Sequence, residues 1–220
     1  MTDEIQKHFE RLYESPDPYK TESRFFERSR LANAFRLLPS HRRFRSAVDL
    51  GCGEGEFTLM LSSVADSVTG IDFVPMAIER AKAKGPQQQV RFQQGRWDAF
   101  LATIAPVELV TCNAALEYMD DKHQALRAVA RALQPNGVFL LIGTVGKRWG
   151  YPDYDDWLTW TNSDFKILQT AVVSPVLRGQ NIVNHPWCFF KRPVYDGAML
   201  LANWFPRQLC RHLGILCEPK

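Results

Sequence analysis

The chain has 220 residues, 45% of them hydrophobic, and a formal net charge of +3. That is enough for one α/β domain with a full core and an appendage, and the weak charge excludes a whole-molecule field that would demand a polyanionic partner. No uninterrupted apolar stretch reaches the roughly 18 residues of a membrane-spanning helix. Five scattered cysteines (Cys52, Cys112, Cys188, Cys210 and Cys217), odd in number and without C-x-x-C spacing, argue for reduced thiols rather than disulfides or zinc ligands. The polar start is expected to hold no signal peptide, and the expected location is cytoplasmic.

Residues 1–45 precede the first core strand and are expected to form an N-terminal helical cap. Apolar periodicity predicts helices over 3–14 and 22–38. Pro16 and Pro18 keep them apart, because paired prolines forbid one continuous helix. Arg36, Arg42, Arg43 and Arg45 are expected at a solvated helix end. They lack the aromatic interleaving of a nucleic-acid surface, so no nucleic-acid partner is expected.

From residue 47 onward, strands are predicted at 47–50, 67–72, 90–93, 107–112 and 138–144. Helices alternate with them at 55–65, 74–84, 97–103 and 121–133. Right-handed crossovers turn this alternation into a parallel, doubly wound sheet. The near-continuous apolar runs 107–110 and 138–142 suit strands covered on both faces, and Pro135, Asn136 and Gly137 form a turn cluster before the fifth strand. Segments 165–173 and 187–190 are expected as the sixth and seventh strands, closing the sheet as an antiparallel hairpin. The core, residues 46–193, is thus predicted as a Rossmann-like seven-stranded α/β sheet, mostly parallel with an antiparallel last strand. Residues 194–220 are apolar with Arg207, Arg211 and His212 on a polar side, and are expected as a C-terminal helical appendage. Packing on the core is favoured there over a dimer contact or an interfacial membrane helix, since only two arginines supply charge.

The chemistry is concentrated where the first strand ends. Ala47, Val48, Asp49 and Leu50 run into Gly51, Gly53 and Gly55, and a helical pattern follows with Phe57, Leu59, Met60, Leu61 and Val64. A pyrophosphate-binding G-x-G-x-x-G would need its third glycine at Glu56. The preceding acid, Asp49, repels a pyrophosphate but suits an ammonium group. The second strand ends in Asp72, placed to accept hydrogen bonds from a ribose diol. Together Asp49, Gly51, Gly53, Gly55 and Asp72 resemble the first two motifs of class I S-adenosyl-L-methionine (SAM)-dependent methyltransferases.

That resemblance implies SAM as cofactor and methyl transfer as the reaction. It implies a cofactor site made of Asp49, Gly51, Cys52, Gly53 and Asp72, with Phe73 and Met76 after the second strand. After the third strand the expected acid for the adenine amino group is replaced by Arg96 and Trp97, with Asp98 two positions later; Asp98 serves equally well as a helix N-cap. After the fourth strand, Asn113 and Ala114 would lie along the methionine arm. Glu117 and Tyr118 would face the acceptor as catalytic candidates, although Glu117 is also an ordinary helix-start carboxylate. The [DNS]-P-P-[YFW] signature of nucleic-acid amino-methyltransferases is absent.

The stretch from Asp17, Pro18 and Tyr19 to Arg28, followed by motif one, is also similar to the nodulation N-methyltransferase (NodS-like) group. In that group a D-P-[WY] turn and an E-x-x-[RK] helix precede the core, and the likeness covers roughly residues 15–145. Its members methylate small molecules, typically an amine on a sugar. Carried over, Tyr19 would close over the cofactor near the reacting atoms, and Arg24 or Arg28 would pair with the cofactor carboxylate.

Residues 147–160 mix aromatic side chains with Asp153, Asp155 and Asp156, a combination that suits a cationic amine or a sugar. Trp149, Tyr151, Tyr154 and Trp157 are the substrate candidates; the alternative is a helix with acids at its start and aromatics buried beneath. No ligand spacing for a metal is present. The expected function is methyl transfer from SAM to a small-molecule acceptor, with amine nitrogen favoured. The alternatives are a small-molecule O-methyltransferase, a non-catalytic SAM-binding partner, and a membrane-peripheral lipid methyltransferase anchored by the tail. A monomer or homodimer is expected.

Overall fold

The structure, a computed structural model, describes residues 3–16, 18, 25–85, 88–147, 150–175, 191–206 and 210–220. Helices α1 (Asp3–Leu12) and α2 (Phe25–Phe35) come first. Then β1 (Ala47–Leu50), α3 (Glu56–Leu61), β2 (Val68–Asp72), α4 (Pro75–Ala83), β3 (Val90–Gln94), α5 (Trp97–Leu101) and β4 (Val107–Asn113) alternate. A single 3₁₀ turn (Leu116–Tyr118) leads to α6 (Lys122–Ala132), β5 (Leu133–Thr144), α7 (Tyr154–Asp164), β6 (Phe165–Pro175), α8 (Lys191–Trp204) and β7 (Cys210–Pro219).

The seven strands form one sheet in the order β3-β2-β1-β4-β5-β7-β6. The first five are parallel to one another, and β7 runs antiparallel between β5 and β6. Strand order reverses between β1 and β4, so the loops after these two strands diverge and leave a crevice at their carboxyl ends. Every residue of β1 is buried, as are Val138, Phe139, Leu140, Leu141 and Ile142 of β5, because helices cover both faces. On one face α6 contributes Ala125, Leu126, Val129 and Ala132, a helical spacing that points them all at the sheet. On the other, Leu31 and Ala34 of α2 and Phe57 and Leu61 of α3 pack on Leu109, Leu140 and Ile142. The helices start on local signals: Asp121 accepts from the Gln124 N–H (2.8 Å), and Asp153 and Asp156 form a reciprocal capping box at α7.

The seventh strand is where the sequence expectation needs correcting. Residues 187–190 lie outside the described residues, and the antiparallel strand is built instead from Cys210–Pro219, inside the segment expected to be helical. Leu213, Ile215 and Cys217 go to one core and Leu216 to the other, so a strand buries both faces of this run. Among the described residues of that segment, only those of α8 are helical over more than a turn. This helix buries Ala202, and Asn203 accepts from the Val172 N–H, while Leu200, Leu201 and Trp204 remain exposed. The expected turn at 135–137 is a bulge within β5: partner register jumps between Val107 and Leu109. No helix among the described residues is long and apolar enough to cross a membrane.

Candidate active site

Strand β1 ends in a turn that only glycine tolerates. Gly51, Gly53 and Gly55 hold φ of 67°, 54° and 82°, in the left-handed region that costs a β-carbon dearly. A Cβ on Gly51 would also come within 2.5 Å of the Ala115 Cβ. The turn is tied to β2, because Gly51 and Cys52 both donate N–H bonds to the Ile71 carbonyl (2.9 and 3.0 Å).

Two buried carboxylates flank this turn. Asp72, at the end of β2, accepts from the Gly53 N–H through Oδ2 and from the Val74 N–H through Oδ1, both at 2.9 Å. Burial raises its pKa, and those backbone donors oppose the rise. Each oxygen keeps a lone pair for a further donor. Asp49 lies deeper. Its Oδ2 accepts from Thr58 Oγ1 (2.6 Å) and its Oδ1 from Thr111 Oγ1 (2.7 Å). Burial pushes its pKa to about 6; the two threonine bonds oppose the rise and the Asp72 charge adds to it.

A cavity of about 460 Å³ runs along the carboxyl ends of the strands. One end is lined by Asp72, Phe73 and Trp97, the middle by Asp49, Gly51, Cys52, Gly53, Asn113 and Ala114. The far end, towards β5, β7 and β6, is lined by Thr144, Ser174, Arg211 and His212, and Tyr118 and Tyr151 also line the cavity. Ala114 sits at φ 54°, a strained position for a non-glycine residue at the point where the chain leaves β4. Phe9 and Tyr13 of the α1 region form part of the wall, and Phe9 meets Phe73 and Tyr118 edge-on at 5.8 and 4.9 Å.

Several expected site residues stand elsewhere. Tyr19, Arg24 and Trp149 lie outside the described residues. Arg28 is exposed on α2 and off the wall; Arg30, two positions on, faces the cavity, donates to the Asn113 side-chain oxygen and pairs with Glu27 at 2.9 Å. The 100° helical step decides this, and the Glu27–Arg30 spacing was the sequence signal that could have found it. Met76 is 45% exposed on α4, away from the wall. Arg96 and Asp98 pair with each other at 2.7 Å on the surface, which holds the Asp98 carboxyl below its usual range and leaves Trp97 alone to turn inward.

Tyr154 and Trp157 are buried in the core and do not line the cavity. Trp157 is fully buried against Gly143, and its indole N–H donates to the Thr144 carbonyl (2.9 Å). Glu117 stands behind the wall, where its Oε1 accepts from the Thr144 hydroxyl and its Oε2 is buried with no partner among the described residues. Burial raises the Glu117 carboxyl, with the Thr144 bond opposing. Sequence reasoning missed Thr144, Ser174 and His212, which no local motif marks. Among the described residues no group of three potential ligands could hold a metal ion, and Cys52, Cys112, Cys210 and Cys217 are free and buried.

Comparison with known proteins decides the class. Residues 48–141, from β1 to β5, match the methyltransferase domain family model. The chain carries a methyltransferase domain and has the class I methyltransferase fold. Nodulation protein S of Bradyrhizobium diazoefficiens is 27% identical over 165 residues, covering 68% of this chain and 74% of that protein. The crystal structure of the N-methyltransferase NodS from Bradyrhizobium japonicum with S-adenosyl-L-homocysteine (SAH) superposes with a TM-score of 0.74 at 19% identity, over 97% of this chain and 98% of that one. A ubiquinone biosynthesis O-methyltransferase of Xanthomonas oryzae is 30% identical over 97 residues, covering 43% of this chain but only 41% of that protein.

Proposed function

We propose that this methyltransferase moves the SAM methyl group onto the nitrogen of a small-molecule amine, as a cytoplasmic enzyme acting as monomer or homodimer. The observation that carries the reading is the cavity that runs from Asp72, Phe73 and Trp97 past Asn113 and Ala114 to the polar residues Thr144, Ser174 and His212. Its volume of about 460 Å³ falls in the range of small-ligand sites.

The donor set fits SAM group by group. Phe73 and Trp97 offer apolar faces for the adenine, and the lone pairs of Asp72 suit the ribose diol. Asp49 lies below the turn for the ammonium group, and Arg30 suits the carboxylate in place of Arg24 or Arg28. When bound, SAM supplies a methyl group activated by its sulfonium. The chain supplies alignment and dryness. Tyr118 and Thr144 line the side from which an acceptor would approach. The Thr144 hydroxyl donates to Glu117, so its remaining lone pairs can accept an N–H from a neutral amine and hold the nitrogen lone pair toward the methyl group. Glu117 then acts through Thr144. Tyr151 is the acceptor contact retained from the 147–160 segment. We further read residues 1–45 as a cap, 46–193 as the SAM-binding core, and 194–220 as a C-terminal segment that completes the sheet.

Tritiated SAM incubated with a panel of small amines tests this: label should appear in N-methyl product, and Thr144→Val should lower kcat with SAH affinity unchanged. Transfer confined to hydroxyl acceptors would favour O-methylation, the reading to which the O-methyltransferase relatives point.

A further inference from the structure

Three adjacent strands place one polar residue each in a single row at the acceptor end. Thr144 of β5 stands opposite His212 of β7, and His212 stands opposite Ser174 of β6. All three line the cavity. His212 Nδ1 is buried and has no partner among the described residues, and its neighbour through Thr144, Glu117, has a buried Oε2 in the same state. A buried polar group left without a partner costs about 1–3 kcal/mol, so the His212 ring on the cavity wall is a group that a ligand can satisfy.

We infer that the Thr144–His212–Ser174 row is the specificity wall of the acceptor site, and that the acceptor carries a second, neutral hydrogen-bonding group beside its amine. The amine meets Thr144, backed by Glu117, and a hydroxyl or carbonyl of the same molecule meets the His212 imidazole and Ser174. The wall selects by the same asymmetry that makes the orphan costly: an amine with only hydrocarbon on that side would seal His212 under apolar surface with nothing to bond. The contact is with a neutral group because the ring itself is neutral. Burial holds its pKa well below the usual imidazole value, and Arg30 and Arg211 hold it down further. Glu117 is the carboxylate on the other side of Thr144, and the Arg211 guanidinium lies over the Tyr151 ring, 5.3 Å from its centroid. Strand β7, which supplies the discriminating residue, lies outside the matched residues 48–141.

This inference rests on the cofactor reading above, and the test separates the two. Transfer of tritium from SAM is measured to trans-2-aminocyclohexanol and to cyclohexylamine, which differ by one hydroxyl beside the amine, with SAH affinity measured by calorimetry. Wild-type protein should favour the amino alcohol by about tenfold or more in kcat/KM. His212→Leu should bring the two amines within about twofold, while His212→Asn, which keeps a polar head, retains part of the preference; SAH affinity should be unchanged in both. Equal use of the two amines by wild-type protein, a preference that survives in His212→Leu, or no labelling of either amine by protein that binds SAH would each overturn the inference. Failure of wild-type protein to bind SAH would refute the cofactor reading, and this one with it.

Discussion

Asp49→Asn separates what the fold needs from what the cofactor needs. In the unliganded protein the Asp49 carboxyl is buried between two threonine hydroxyls and its pKa rises from 3.8 to about 6. At roughly 1.4 kcal/mol per unit, ionised Asp49 costs the fold about 3 kcal/mol at neutral pH. The folded state binds this proton more tightly than the unfolded chain does. The group is therefore neutral toward stability below pH 3.8, and stability is lost as pH rises through about 6. Asparagine keeps an acceptor for one threonine, and the other hydroxyl can turn to accept from the new amide. Urea denaturation of the unliganded variant should therefore show a gain of about 1–3 kcal/mol at pH 7 that shrinks toward zero near pH 4. Calorimetry should show SAH binding about tenfold more weakly, because the ammonium partner is gone, with 5′-methylthioadenosine, which lacks the amino acid arm, unaffected. A stability difference that does not change between pH 4 and pH 7, or equal losses for both ligands, would refute the reasoning.

Asp72→Ala removes the acceptor of the Gly53 and Val74 N–H bonds and of the proposed diol, so SAH affinity should fall by about 1–3 kcal/mol; unchanged affinity in calorimetry would mean the ribose lies elsewhere. Arg30→Ala should weaken SAH about tenfold and leave 5′-methylthioadenosine unchanged, since only the former carries a carboxylate; parallel losses would assign Arg30 to structure instead. Gly143→Ala would set a Cβ 2.4 Å from Trp157 Cε2 in a fully buried contact, so chemical denaturation should show a loss of about 1–3 kcal/mol; no loss would mean that Trp157 can shift freely.

The order of strands and helices from β1 to β5 was legible because each element carries its own pattern: apolar runs for buried strands, glycine where φ must be positive, acids at strand ends. The turn at Gly51 to Gly55, with Asp49 before it and Asp72 after the next strand, is local in sequence and local in space. It therefore spoke for the cofactor without any tertiary information. As cavity-lining residues, Trp97 and Asn113 were legible for the same reason, one following β3 and the other closing β4.

Tertiary structure alone decided the rest. An apolar run such as 209–216 fits a helix or a buried strand equally well by periodicity. What makes Cys210–Pro219 a strand is the pair of open edges that β5 and β6 offer it, with hydrogen-bond partners on both sides. The aromatics at 147–160 carried no mark of which would be core; Trp157 is there because Gly143 leaves room for its ring, and Tyr151 is not. Arg30, Thr144, Ser174 and His212 come from four elements far apart in the chain, and only helix rotation and strand register bring them to one wall. The sequence by itself thus determined the glycine turn and strand ends on which the proposed cofactor end is built. The acceptor end depends on side chains that meet through non-local pairing, and no local pattern encodes such a meeting.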